Sequence, residues 1–150
     1  MILCLAIPAN AQQQHNSYDA VLAKKLHADE RGMRMYVMAI LKTGDKSVTD
    51  PQVPDSLFKG HMANINRMAE AGLLSVAGPF EKNDKNYRGI FILNVTTIKE
   101  AEQLVATDPT IKAGIFAVEL YEWYGSAALQ ETGRIHKRID KSGLPAKTSK

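Results

Sequence analysis

The segment MYVMAIL, residues 35–41, constrains this chain more than any other, because both sets of alternating positions in it are apolar. Successive side chains of a strand point to opposite faces of a sheet. A strand that is apolar on both sides belongs inside a sheet whose two faces are both covered. What covers them must come from the other elements or from a second chain.

Turn signals and periodicity mark those other elements. Residues 18–31 predict a short amphipathic helix, with Tyr18, Val21, Leu22 and Leu26 on one side and Gly32 as its stop. A loop, KTGDKSVTDPQVPD, leads to the helical stretch SLFKGHMANINRMAEAGLL, which Gly72 ends. Residues 73–77 form a second strand that Gly78-Pro79 breaks, EKNDKNYRG makes a polar hairpin connection, and residues 89–95 form a third strand. Thr97 and Glu100 have the spacing of a capping box, so a helix begins there and runs to about Asp108, where Pro109 forbids its continuation. Alternation in FAVELYEW, residues 116–123, marks a fourth strand, and residues 126–139 a last helical stretch. The polar tail, residues 141–150, is expected to be disordered.

Strand, helix, strand thus occurs twice. That order predicts an α+β, ferredoxin-like βαββαβ fold: a four-stranded antiparallel sheet with helices on one face, extended by N- and C-terminal helices. The helix-free face still needs cover, and a second copy of the chain supplies it most simply, so a homodimer with its two sheets face to face is expected. A chain of 150 residues, 45% hydrophobic and 23% charged, makes one domain, placed at residues 18–140 with its core at 34–123.

The net charge of +3 carries no nucleic-acid signal, since six of the 19 Lys and Arg residues fall between positions 134 and 150. The single cysteine, Cys4, excludes an internal disulfide and a cysteine-rich metal site. No segment is long and apolar enough for a membrane span. Residues 1–11 read as a signal peptide remnant: an apolar run is followed by Ala9-Asn10-Ala11, a small-x-small cleavage pattern, although the positive n-region is missing. Export to the periplasm or beyond follows if that segment is cleaved, and a cytoplasmic location if it is not. The other reading is a short buried N-terminal segment.

Two residues stand out by their placement on helices. On the helix after the loop, Leu57, Phe58, Ile65, Met68 and Ala69 fall in one stripe, and His61 lies in its middle, with Lys59, Asn66, Arg67 and Glu70 opposite. Such a histidine is either a hydrogen-bonded core residue or the lining of a pocket. On the next helix Ile98, Ala101, Leu104 and Val105 mark the inward side, and Asp108 shares their arc, in a last turn where the macrodipole disfavours a carboxylate. A local role is open to it as well, accepting the amides of Thr110 or Ile111 in an Asp-Pro turn. Both helices pack on the same sheet, so His61 and Asp108 are placed to border one pocket and to act as an acid-base pair.

Other candidates offer less. His15, His27 and His136 sit in polar surroundings without metal-ligand spacing, and Ser75 lacks the context of a nucleophile elbow. Asn94-Val95-Thr96 matches a glycosylation sequon at a strand end. Tyr121, Trp123 and Tyr124 read as core or dimer contact, with a ligand pocket as the alternative. No phosphate-binding glycine loop and no zinc motif occurs, so neither metal nor cofactor is expected.

His61 at the head of HMANINRMAEAGLLSVAGP, Gly78-Pro79, Arg88-Gly89, and Asp108-Pro109 followed by IKAG together resemble the YciI-like (YCII-related) family over residues 34–123. The flanking segments resemble extensions of an exported bacterial subgroup. The resemblance implies a dimeric α+β barrel and an active site lined by His61 and Asp108; substrate contacts are expected at Ser75, Gly78, Pro79 and Arg88. One relative is similar to an enzyme that eliminates chloride from a chlorinated hydroxyquinol, and the wider superfamily includes muconolactone isomerases and small oxygenases. Proton transfer on a small cyclic or aromatic molecule is the function this implies: isomerisation, elimination or hydrolysis without a cofactor. The alternative is a non-catalytic dimeric module that binds a small ligand.

Overall fold

The computed structural model describes residues 18–46 and 55–141. The expected signal peptide, Cys4, His15, most of the first long loop and the tail from residue 142 lie outside the described residues. The elements run α1 (Ala20–Lys25), β1 (Met33–Thr43), α2 (Asp55–Glu70), β2 (Leu74–Pro79), β3 (Tyr87–Leu93), α3 (Ile98–Val105), α4 (Pro109–Lys112) and β4 (Phe116–Ser126), then a 3₁₀ turn (Ala127–Glu131) and α5 (Thr132–Ile139). The four strands form one antiparallel sheet in the order β2-β3-β1-β4. This is the ferredoxin-like βαββαβ arrangement, with β1 in the interior as its two apolar sides require.

Register decides which face each side chain takes. Val37 pairs with Leu93, Ala39 with Phe91 and Leu120, and Leu41 with Val118. These side chains share the face under the helices, and with Met68 of α2 and Ala101 and Val105 of α3 they make the core. Each large apolar side chain buried there contributes about 1.5–3 kcal/mol. On the opposite face Met38, Ile40, Val76 and Ile90 are half-buried and Tyr121 is exposed, beside an ion pair of Lys42 with Glu119 at 2.7 Å.

Three local expectations give way to the structure. The first helix is much shorter than residues 18–31: Asp19 caps it by accepting the Leu22 amide at 2.9 Å, and His27, at φ 52°, stops it well before Gly32. Asp29 then accepts the amides of Arg31 and Met33 and turns the chain into β1. Gly78 and Pro79 do not break β2 but pair with Ile90 and Gly89. Proline is tolerated there because β2 is an edge strand. The third difference concerns α3, which ends at Val105 rather than running on to Asp108. Its start is as expected, with the Thr97–Glu100 capping box formed in both directions.

After β4 the chain folds back across the sheet. The 3₁₀ turn packs against β1 and β2, and α5 packs against β2. Gln130 holds that turn in place: it donates to the Leu26 carbonyl at 2.6 Å and accepts from Arg34 at 2.8 Å.

Candidate functional site

Asp108 is the N-cap of α4, not part of the last turn of α3. Its backbone is extended, and its side chain accepts the Thr110 amide at 2.9 Å. The local role open to it is therefore the one it plays, and it removes the unfavourable macrodipole placement: at a helix N-terminus a carboxylate is welcome. The Thr110 hydroxyl donates to the same oxygen, Oδ1, at 2.6 Å. Oδ2 is left for His61, whose Nδ1 lies 2.7 Å away. One carboxylate thus caps a helix with one oxygen and engages an imidazole with the other.

The pair is well enclosed, with Asp108 fully buried and the His61 side chain 13% exposed. Burial by itself would raise the Asp108 pKa. Hydrogen bonds from His61 and from the hydroxyl and amide of Thr110, with the charge of His61, outweigh it and hold the carboxyl below its usual range. An ionised Asp108 accepts, so Nδ1 carries the proton that it donates, and Nε2 is the ring nitrogen not engaged by the carboxylate. The ring plane is set by Phe116, edge-on at 5.5 Å, and by Phe91, stacked at 6.1 Å.

Close packing of α2 on α4 brings the partners together. Gly60 precedes His61, Pro109 follows Asp108, and a Cβ on Gly60 would sit 2.8 Å from Pro109 Cγ. A glycine inside a helix costs about 1 kcal/mol against alanine, and here it permits the approach that the His61–Asp108 bond needs.

His61 lines a cleft of about 560 Å³ between α2, the β2–β3 edge of the sheet and α5. Ser75, Gly78, Pro79 and Arg88 line it too, so the structure gathers at one cleft the residues singled out from the sequence, with Asp108 behind His61. Phe58, Phe91 and Phe116 make much of its apolar wall. Thr132, Gly133 and His136 of α5 also line it. His136, read from the sequence as a solvated side chain, is exposed but stands at this cleft, and Asn66, assigned to the solvent side of its helix, lies on the rim. Tyr121, Trp123 and Tyr124 are not among the lining residues; Trp123 packs on Tyr36 at 6.0 Å and the Tyr124 hydroxyl bonds Asp29. The Asn94 side chain turns back to the Gly72 carbonyl at 2.9 Å.

Among the described residues no group of three or more His, Cys, Asp or Glu could hold a metal ion, and no helix is long and apolar enough to cross a membrane. The chemistry these side chains could supply is proton transfer: an imidazole backed by a carboxylate borders a cleft with a mostly apolar wall.

The sequence model of the YCII-related domain matches residues 35–124. Among solved structures the chain is similar to 5-chloro-2-hydroxyhydroquinone dehydrochlorinase from Burkholderia phenoliruptrix AC1100 in complex with 2,5-dihydroxybenzoquinone. The two are 23% identical over 58% of this chain and 92% of that one, with a TM-score of 0.42. No curated protein matches the chain.

Proposed function

The chain belongs to the YCII-related domain family, and from that premise we propose that it is a cofactor-free acid-base enzyme acting on a small cyclic or aromatic molecule. The observation that carries this is the 2.7 Å bond between His61 Nδ1 and Asp108 Oδ2 on the wall of a cleft. His61 takes a proton from the substrate at Nε2, and Asp108 stabilises the imidazolium that forms. Returning that proton to another atom of the same molecule gives an isomerisation. Loss of a leaving group with its bonding electrons from the adjacent atom gives an elimination, and taking the proton instead from water, whose oxygen attacks an ester carbonyl while the imidazolium returns the proton to the departing alkoxide, gives a hydrolysis. Three phenylalanine rings in the wall of the cleft favour a flat apolar substrate. Ser75, the Gly78-Pro79 backbone and Arg88 bind its polar groups.

A homodimer is part of this proposal, with the half-buried face of Met38, Ile40, Val76 and Ile90 as its contact. So is export to the periplasm, through removal of residues 1–11.

The test is turnover of a panel of hydroxylated and halogenated aromatics and small lactones. For any compound converted, His61→Ala should lower kcat by about 10²-fold or more with the fold intact by circular dichroism. Unchanged turnover in that variant would sink the role given to His61, and compounds that bind without any being converted would sink the enzyme reading and leave a ligand-binding module.

A further inference from the structure

The family match ends at residue 124, yet the cleft does not: α5, from Thr132 onward, supplies one of its walls. The charge of the lining is one-sided. Arg88 is the only fixed charge among the described lining residues, which include neither a carboxylate nor a lysine. Its Nε donates to Thr43 Oγ1 at 2.7 Å, which steadies the guanidinium, and among the described residues its two terminal nitrogens have no hydrogen bond. Asp108 carries a negative charge behind His61, but both its oxygens are engaged, by Thr110 and by His61, so Arg88 is the charged side chain left to contact a ligand directly.

We propose that the cleft selects a ring compound bearing an anionic group, a carboxylate, which Arg88 grips and to which His136 of α5 donates a second hydrogen bond. The inference rests on the reading of the cleft as a substrate site. A guanidinium fork matches the two oxygens of a carboxylate, and both bonds are charge-assisted. A neutral ring gains the phenylalanine contacts alone. His136 is then the specificity residue that this chain adds to the family domain, on an element folded back against β2.

Calorimetric titration of the whole chain with 3,4-dihydroxybenzoate and with catechol tests this, because the two share a ring and differ by the carboxylate. The benzoate should bind about tenfold more tightly, and Arg88→Gln should bring the two within about twofold. His136→Ala should weaken the benzoate about three- to fivefold and leave catechol unchanged, while His136→Gln, which keeps a side-chain N–H, should restore most of the loss. Both positions are exposed, so these variants should keep the fold. Equal affinity for the two compounds in the parent would overturn the anion assignment while the cleft reading stands. Unchanged discrimination in His136→Ala would overturn the role given to α5. Failure of both rings to bind at millimolar concentration would overturn the cleft reading and this inference together.

Discussion

Asp108 is ionised, capped and buried at once, and its behaviour in acid follows. Its folded-state pKa lies below the ordinary value of 3.8. A depressed carboxyl contributes stability in full above the unfolded pKa and loses it as pH falls through the folded one. Asp108→Asn should therefore cost about 1–3 kcal/mol near neutral pH. In urea titrations the gap between parent and variant should stay constant from pH 7 to about pH 5 and close below about pH 3.8. A gap that persisted in strong acid would show that the carboxylate is not held ionised by its partners. The position of this residue was only half legible in the sequence. Helical periodicity carries smoothly past Val105, so Asp108 shared the inward arc and pointed correctly to His61. Period alone, however, does not report that the helix has ended and that another begins at Pro109; the Asp-Pro-Thr turn chemistry does.

At the scale of elements, the contact of α2 with α4 sets the geometry of the site. Gly60→Ala places a methyl group against Pro109, and α2 must shift to accept it. The propensity gain of about 1 kcal/mol is then opposed by about 1–3 kcal/mol of strain. The expected outcome is a small net destabilisation and the loss or upfield shift of the strongly hydrogen-bonded imidazole N–H signal of His61 by NMR. Gly133→Ala is the control: nothing lies within 4 Å of the added Cβ, so stability should be unchanged or slightly raised and the same signal retained. The isolated glycine within a helical pattern was the available sign of close packing at Gly60. No comparable sign existed for His136. It reaches the cleft only because the chain after β4 folds back on β2, and nothing in the local sequence around it records that contact. Phe58, Phe91 and Phe116 were hidden differently, since an apolar stripe reads the same whether it meets packed core or an open cleft.

For the whole molecule, β1 carried most of the architecture: a strand apolar on both sides demanded a central place, and it lies between β3 and β4. Its second face, with Met38 and Ile40 half-buried, is where the proposed dimer forms. Sedimentation should give twice the chain mass at micromolar concentration, and Ile40→Lys, which puts an ammonium in that contact, should give the monomer. A parent that sediments as a monomer at 100 μM, on the order of the weakest stable dimers, would remove the dimer from the proposal. The edge formed by β2 has a further consequence. The strand is short, ends on Pro79, which has no N–H to offer, and has α5 packed against it. Bare strand margins are templates for fibrils, and proline, brevity and a covering helix are the devices that blunt them. The segment that walls the cleft therefore doubles as a guard against aggregation.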